Sequence, residues 1–449
     1  MPRLFPISLK RFNKSGDFTG ERPACKILIT NVYSWKNKGD AAIVFSLLDD
    51  VRRQFPDCHL AISSTDGDSL DQYGIKEHYQ SVLKIFKKRF PIKYPNLLGR
   101  LLYAFHHVLF RFRLQVFSAL SKIRIYPYFL FSDEMSSKIR SYAKFDLVIA
   151  CGGGYLLQPR RLPKLDRWFR VHDAILFAYD FYLANIFNKP YILYNQSIGP
   201  FYRQSDFLAY VNFLKDARIV LCRESLTFDR LADIGLKNIR QVADIAFHLA
   251  VKPSNILSRY TNNKNGIKIG LTVRNWLDNT GQNLYENALR EFIRNVLSLR
   301  DDAQFFFMPQ VHYSAAGDDD SIVSQRIYNN LPDNLLQSVY LISEDLHPSE
   351  LKYAIGQMDY FIGTRMHSNI FALSMGVKTI AIAYEPKTTG IMKGLELTQY
   401  VIPMEEVTAD SIFSLFNKAT IDNNYLPMLK IGVENMRQLA ICDLHSFLT

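Results

Sequence analysis

The sequence predicts an α/β protein in which two open parallel sheets face each other across a central cleft. Its 449 residues exceed the length that one hydrophobic core usually serves, so two domains are expected. Short runs of β-branched residues alternate with helical stretches along the chain, as they do in βαβ units. Residues 252–265 are rich in Pro, Ser and Asn and separate two series of such units. We therefore expect an N-terminal extension at 1–24, a first domain at 25–255 and a second domain at 266–449.

The predicted strands are short apolar runs that end in polar or glycine-rich turns. In the first half they lie at 26–32, 60–64, 145–150, 191–196, 218–222 and 239–242. In the second half they lie at 268–273, 304–309, 339–342, 360–363 and 379–384. Ligands of open α/β sheets bind outside the carboxyl ends of the strands. Polar residues that directly follow a strand are therefore the candidates for a functional site.

The composition is that of a globular protein, with 48% hydrophobic and 22% charged residues. The five cysteines are scattered and form no CxxC pair, which favours a reduced cytoplasmic chain over a disulfide scaffold or a zinc site. The N-terminus lacks the apolar core of a signal peptide, and no apolar stretch is long enough to cross a bilayer. The acidic residues show no paired spacing typical of ligands, so we expect no metal.

Four strand ends in the first half carry candidate residues. Asp40 follows the first strand, either as the cap of the next helix or as a base that takes a proton from a substrate hydroxyl. The strand FDLVIACGGG delivers Gly153 and Gly154, which form a plain tight turn or let a ligand approach backbone N–H groups. Gln196 ends the strand YILYNQ. Arg223, at a strand-to-helix junction, makes either an internal salt bridge or a ligand contact.

The second half carries the strongest pattern. Arg365, His367 and Ser368 stand where a buried strand meets a helix, whose first turn offers free N–H groups and a positive dipole end. An arginine, a histidine and a helix N-terminus together predict a receptor for phosphate or carboxylate. Four further polar residues follow neighbouring strands and are candidate substrate contacts: Gln310, His312, Glu385 and Lys387.

Taken in order, the motifs resemble those of the polysaccharide pyruvyl transferase family. The phrases are N-x7-GD, DLVIACGGG, NQSIGPF, CRESLTFDRL, DIAF, MPQVH, GTRMHSNIFALSMGV and AIAYEPKTTGI, and they span residues 27 to 395. The resemblance implies two Rossmann-like domains arranged as in GT-B glycosyltransferases. It also implies phosphoenolpyruvate as co-substrate, with no cofactor, and a glycan or lipid-linked oligosaccharide as acceptor. The donor-binding Arg-x-His motif of the family falls on Arg365 and His367, and a further donor arginine falls on Arg223.

From this resemblance we expect His367 to protonate the donor and Asp40 to act as the base. Two other readings remain open. A GT-B glycosyltransferase that uses a nucleotide sugar would share the fold, with Glu385 as the candidate acid for its ribose. A non-catalytic membrane-associated binding protein would need the basic segment alone, but the presence of Arg365, His367 and Arg223 together argues against it.

A basic segment interrupts the first domain at about 81–130, where compact members of the family have no counterpart. Residues 78–132 contain no Asp or Glu and ten Lys or Arg. Lys93, Arg100, His107 and Arg111 would share one face of a helix. This pattern predicts an amphipathic helix over 84–124 on an anionic membrane surface, at the inner face of the cytoplasmic membrane. A helical insertion packed on the first domain is the alternative, and nucleic acid is not expected because aliphatic runs interrupt the charges.

Overall fold

The computed structural model describes residues 25–89, 97–157, 173–199, 201, 203–261, 266–313 and 318–447, so the expected extension at 1–24 lies outside the described residues. Two parallel sheets organise the chain, which confirms the predicted fold class. The first sheet has the order β3-β2-β1-β4-β6-β7-β8, and β5 pairs with β6. Its strands are β1 (Lys26–Val32), β2 (His59–Ser64), β3 (Glu77–Gln80), β4 (Leu147–Ala150), β5 (Gly153–Leu156), β6 (Tyr191–Ile198), β7 (Ile219–Cys222) and β8 (Ile239–Gln241).

Helices cover both faces of the first sheet, which is why β4 and β6 are buried along their whole length. One apolar layer contains Phe145, Tyr179 and Tyr210, and the layer on the other face contains Ile29, Leu47 and Tyr194. The helices are α1 (Lys38–Gln54), α2 (Val82–Arg89), α3 (Leu97–Ser121), α4 (Asp133–Ser141), α5 (Asp173–Ile186), α6 (Gln204–Leu214) and α7 (Ser225–Asp233).

The second sheet repeats this design with the order β13-β10-β9-β14-β15-β16. Its strands are β9 (Lys268–Thr272), β10 (Gln304–Phe307), β13 (Val339–Leu341), β14 (Tyr360–Gly363), β15 (Lys378–Ala383) and β16 (Val401–Pro403), and a two-stranded antiparallel ribbon is formed by β11 (His312–Tyr313) and β12 (Asp318–Asp319). The helices are α8 (Asn279–Leu299), α9 (Asp320–Asn329), α10 (Asp333–Leu336), α11 (Pro348–Ile355), α12 (Met366–Ser374), α13 (Pro386–Gly394), α14 (Ala409–Ile421) and α15 (Tyr425–Ala440).

Each of the eleven strands expected from the sequence is present, with ends that differ by a few residues. The strands that the sequence did not predict are short: β3, β5, β16 and the two ribbon strands. They carry little periodicity because they have two to four residues each. The hydrophobic runs therefore predicted the central strands and one edge strand of each sheet, and they missed the other edge strands, β5 and the ribbon.

The chain crosses between the two sheets more than once. Ala246 and Phe247 belong to the apolar layer of the second sheet, although they precede the predicted linker. The end of the chain returns to the first sheet, where Cys442 and Leu444 join its apolar layer. The side chain of Gln54 fixes this return by donating to the carbonyl of Cys442 and accepting from the backbone N–H of Leu444. The last residues thus pack on the first domain rather than on the second.

The basic segment forms α2 and α3, and its residue Lys93 lies outside the described residues. The expectation that His107 shares an accessible basic face with Arg100 and Arg111 is wrong. His107 is fully buried because its ring packs against Phe86 and Tyr179. One face of α3 is therefore an ordinary packing surface on the first domain, as the alternative reading had it. Within the described ranges, no helix combines the length and the apolar character needed to cross a membrane.

Candidate active site between the two sheets

A cavity of about 480 Å³ lies between the carboxyl ends of the two sheets, a volume in the usual range for small-molecule sites. Both domains contribute to its walls. From the first domain come Tyr33, Asn37, Asp40, Gly152, Gly154, Tyr155, Leu157, Phe177 and Arg223, and from the second come Arg274, Trp276, Gln310, Val311, Asp318, Arg365, Met366, His367, Tyr384, Glu385 and Lys387. Eight of the residues that the sequence proposed are thereby brought to one cavity.

The two domains touch through backbone pairing at one end of this cavity. Asn37 and Val311 form an isolated antiparallel bridge. On either side of it, the N–H of Lys38 donates to the carbonyl of Gln310, and the N–H of His312 donates to the carbonyl of Lys36, both at 2.9 Å. The cleft is therefore closed at this end in the structure.

Arg223, Asp244 and His367 form a buried ionic cluster that spans the domains. Arg223 follows β7 and donates from Nη1 to Asp244 at 2.9 Å and from Nε to Ser197 at 2.7 Å. Nε2 of His367 lies 3.5 Å from both Asp244 Oδ2 and Arg223 Nη1. Burial alone would raise the pKa of Asp244, but Arg223 and His367 hold it well below its ordinary value. Asp244 is therefore a permanent carboxylate that holds the arginine and the histidine together.

The first turn of α1 brings Asp40 into the cavity. The capping role that the sequence left open for Asp40 belongs to Asn37, whose side chain accepts from the N–H groups of Gly39 and Asp40. The amide of Asn37 also donates to the Asp40 carboxylate at 2.8 Å. Burial raises the pKa of Asp40 above its ordinary value, although His367, Arg223 and Lys387 oppose that rise. A carboxyl group in this state is suited to exchange protons.

Because Gly39 has no side chain, the ring of His367 packs directly against its backbone. A Cβ built on Gly39 would lie 2.7 Å from Cγ and 2.8 Å from Cβ of His367, and closer still to Nδ1. Only a residue without a side chain lets α1 approach the imidazole this closely. The glycine of the N-x7-GD phrase thus serves contact between the domains.

A candidate anion-binding corner lies where the glycine turn, residues 151–154 between β4 and the start of β5, meets Lys387. A Cβ on Gly154 would lie 2.7 Å from Nζ of Lys387 and 3.8 Å from Nη2 of Arg223. Glu385 is 3.9 Å from the same ammonium, beyond hydrogen-bond distance. Burial, followed by the nearby charge of Arg223, lowers the pKa of Lys387. Two cationic groups thus lie close together beside the half-buried residue Gly154, an arrangement that an anionic ligand would stabilise.

Arg365 is bound by two aspartates. It donates to Asp320 from Nε at 3.0 Å and from Nη2 at 2.6 Å, and to Asp318 from Nη1 at 3.2 Å and from Nη2 at 2.5 Å. Asp320 is fully buried and also accepts from the backbone N–H groups of Gln310 and Val311. Asp318 is 32% exposed and also binds Arg274. The positive charge of Arg365 is therefore paired with aspartates of its own domain in this state, which the sequence did not predict.

Four of the proposed contacts do not line the cavity. The hydroxyl of Ser368 is fully buried, bonded to Thr272 and to the carbonyl of Arg365, so it supports the turn from behind. Gln196 is buried as well, and its amide donates to Cys151 and Tyr155, which fixes the glycine turn. The other two are Gly153, which has a φ of 152° inside that turn, and His312, which contacts Ser321.

Sequence reasoning missed several residues of the cavity. Arg274 and Trp276 follow β9, so the strand-end rule applied to them and would have found them. Arg274 lies over the rings of Trp276 and Tyr384, at 4.4 Å and 4.2 Å. Asp244 lies within the DIAF phrase but was given no role. No group of three or more potential metal ligands occurs among the residues that the structure describes.

The chain has the arrangement of two Rossmann-like domains found in GT-B proteins. MnaA of S. aureus, solved with UDP, matches with a TM-score of 0.53 at 11% identity, over 92% of this chain and 94% of that chain. The UDP-GlcNAc 2-epimerase of Neisseria meningitidis, bound to UDP-GlcNAc, matches with a TM-score of 0.50 at 12% identity, over 92% and 97% of the two chains. At such low identity this likeness shows the fold alone.

Sequence comparison is more specific. The amylovoran biosynthesis protein AmsJ of Erwinia amylovora is 22% identical over 424 residues, which are 89% of this chain and 92% of AmsJ. The family model for polysaccharide pyruvyl transferase matches residues 37–386, which include Asp40, Arg223, Arg365 and His367. The resemblance seen in the order of the motifs is confirmed by this match, and the chain belongs to the polysaccharide pyruvyl transferase family.

Proposed function

We propose that this protein transfers the pyruvyl group of phosphoenolpyruvate to two hydroxyls of one sugar, in a surface polysaccharide or its lipid-linked precursor, to form a cyclic ketal. Family membership makes it a transferase that acts on polysaccharide. The observation that carries the donor assignment is the approach of Lys387 and Arg223 to Gly154, with His367 in contact with Arg223. These groups come from both domains and suit a small ligand with two negative charges.

The phosphate of the donor is proposed to bind at the anion-binding corner. Arg223 already uses Nε and Nη1 for Ser197 and Asp244, so Nη2 is the atom directed at the ligand. Lys387 supplies the second charge, and a bound phosphate would offset the repulsion between the two cations. Gly154 leaves room for this approach because any side chain there would meet Lys387.

The carboxylate of the donor is proposed to bind Arg365 in place of Asp318. Asp320 is fully buried and tied to two backbone N–H groups, so it stays. Asp318 is partly exposed and reaches Arg365 from the cavity side, so its carboxylate occupies the position that a ligand carboxylate would take. A bidentate arginine contact of this kind is specific for planar carboxylates.

His367 is the proposed acid, and Asp244 stabilises positive charge on its ring. The methylene carbon of the donor takes a proton and becomes the methyl group, and one sugar oxygen bonds to the adjacent carbon. The second sugar oxygen then bonds to the same carbon, while the bond between that carbon and the phosphate oxygen breaks. One hydroxyl proton replaces the proton that His367 gave, and the other leaves with phosphate. Asp40, which faces the cavity beside His367, is the proposed base.

A GT-B enzyme that uses a nucleotide sugar is the second candidate. Two proteins of the same fold were solved with UDP or UDP-GlcNAc. In this chain Glu385 lines the cavity, but it lies 3.9 Å from Lys387 beside the anion-binding corner. The family match favours the pyruvyl donor over this reading.

Donor binding and phosphate release test the proposal together. Phosphoenolpyruvate should raise the melting temperature of the purified protein, whereas UDP-GlcNAc should not. With aryl glycosides that carry a free hydroxyl pair as acceptors, phosphate should be released and a pyruvyl ketal should be seen by mass spectrometry. His367→Gln should lower phosphate release by about a hundredfold, the scale of losing a general acid. His312→Gln is the matched control because His312 lies outside the cavity. Stabilisation by UDP-GlcNAc alone would refute the proposal.

A further inference from the structure

The outward face of α3 is apolar along most of its length. Successive helical residues are separated by about 100° around the axis, so one arc of about 120° contains every third or fourth residue. Six apolar side chains within that arc are exposed in the structure: Leu98, Leu101, Leu102, Phe105, Val108 and Phe112. They extend along about 21 Å of helix. The opposite face is buried through Tyr103, Phe110 and Leu114, so the helix is apolar on both sides.

The exposed apolar surface continues beyond the helix. Ile123, Ile125 and Phe129 are exposed, and Ile125 is tied to the end of α3 by a hydrogen bond from its N–H to the carbonyl of Leu120. Apolar side chains exposed over this length of chain are typical of a binding surface for protein or membrane rather than of an ordinary solvent-facing helix. We call this surface the α3 face, formed by the six side chains above together with Ile123, Ile125 and Phe129.

Positive charge borders the α3 face. Arg113 lies on one flank of the helical part of this face, and Lys122 and Arg124 are exposed next to its terminal residues Ile123 and Ile125. Burial together with Arg113 and Arg89 lowers the pKa of His106, which shows the sign of the local field. The sequence from 78 to 132 contains no acid. Glu134 is close by, but it is paired with Lys88.

We propose that the α3 face docks on an anionic lipid bilayer, with α3 lying in the plane of the membrane interface. Leu and Phe side chains would enter the boundary of the acyl chains while Arg113, Lys122 and Arg124 contact lipid phosphates. Like the other described helices, α3 does not meet the length and apolarity needed to cross a bilayer. A second copy of this chain is the competing occupant, and flotation together with size-exclusion chromatography separates the two.

The placement has a consequence for the active site. Phe110 of α3 contacts Tyr179 of α5, with ring centroids 5.2 Å apart. Phe177 of the same helix lines the cavity. One helix therefore separates the docking surface from the cleft, so a docked protein would hold its cleft near sugars that are carried on a membrane lipid. Docking itself does not depend on the identity of the donor.

Vesicle flotation of the full chain tests this inference without any substrate. Wild-type protein should float with vesicles of mixed phosphatidylcholine and phosphatidylglycerol and should float much less with phosphatidylcholine alone or at high salt. The double variant Leu98→Asp/Phe105→Asp should lose flotation by about tenfold or more. Its matched control is Leu284→Asp/Leu299→Asp on α8, because these leucines are 63% and 72% exposed, against 65% and 60% for the pair on α3.

Three results would overturn the inference. One is equal flotation of both double variants, with melting temperatures that show both to be folded. Another is equal flotation of the wild type with neutral and anionic vesicles. The third is a wild-type dimer in size-exclusion chromatography that the α3 variant converts to a monomer, with no flotation of either protein. That last outcome would assign the α3 face to a second copy of this chain.

Discussion

Replacing Gly39 by Ala tests whether contact between the domains positions His367. The added Cβ would lie 2.7 Å from Cγ and 2.8 Å from Cβ of His367. Ordinary carbon contacts are about 3.5 to 4.0 Å, so the histidine must retreat by about 1 Å. Rotation of the ring alone cannot relieve the clash, because the Cβ of His367 is itself too close. A retreat of this size would also break the 3.5 Å contact with Asp244.

The expected effect of Gly39→Ala is a loss of activity without a loss of folding. Alanine is favoured over glycine in a helix by about 0.5–1 kcal/mol, which offsets part of the strain. A displacement of 1 Å in a catalytic group can lower the rate by about a hundredfold. We therefore expect kcat for phosphate release from phosphoenolpyruvate to fall by about that factor, while the melting temperature changes by a few degrees at most.

A glycine in an open position provides the control for this experiment. Gly390 lies in α13, and a Cβ built on it would meet no atom within 4 Å. Gly390→Ala should leave kcat unchanged and should stabilise the protein slightly. If Gly39→Ala is as active as Gly390→Ala, then the imidazole does not need its present position, and the assignment of His367 as the acid fails.

Three further predictions address Asp40, Asp318 and Lys352. Burial raises the pKa of Asp40, so a base at this position is lost as pH falls through that raised value. The value of kcat/KM should therefore decline at a pH above the ordinary aspartate range. Asp40→Asn should remove this decline at low pH from the pH–rate profile. If the donor carboxylate replaces Asp318 on Arg365, then Asp318→Asn should lower the Kd of phosphoenolpyruvate by several-fold in titration calorimetry, and an unchanged or higher Kd would contradict that replacement. Burial, followed by the charge of Arg437, lowers the pKa of Lys352 to about 7, so between about pH 7 and 10 the unfolded chain binds a proton that the folded chain does not. The free energy of unfolding, measured by urea denaturation, should therefore rise between pH 7 and pH 9 in the wild type. The rise should exceed that of Lys352→Met by a few kcal/mol, since one pKa unit corresponds to about 1.4 kcal/mol.

Much of the candidate site followed from one rule applied to the sequence. Parallel strands of a sheet end at the same edge, so residues far apart in the chain, such as Asp40, Arg223 and His367, were expected to meet, and they line one cavity. This rule predicts which edge of the sheet a residue lies on, but it does not predict which side chains the residue contacts. Asp244 and Asp318 show the limit, because each is known as the partner of an arginine only once both domains are in place.

The α3 helix shows a second limit of sequence reasoning. A helix with a single apolar stripe reveals which face is buried, but α3 is apolar on opposite faces. Composition therefore predicted an unusual helix without showing its orientation, and it placed His107 on the accessible side, although the ring is buried. The orientation is fixed by aromatic partners such as Phe86 and Tyr179, which come from other helices.

We call the backbone pairing at Asn37 and Val311 the latch, because it joins the two domains at one end of the cleft. Its two flanking hydrogen bonds are each worth about 1 kcal/mol net, so opening the latch costs at least about 2 kcal/mol and leaves at most a few per cent of molecules open. The proposed small donor would bind in the cleft while the latch is closed, whereas a polysaccharide acceptor would have to extend out of it. Exchange of the glycan would then proceed through the minor open population, and the rate of unlatching, rather than bond making, would limit turnover on long acceptors.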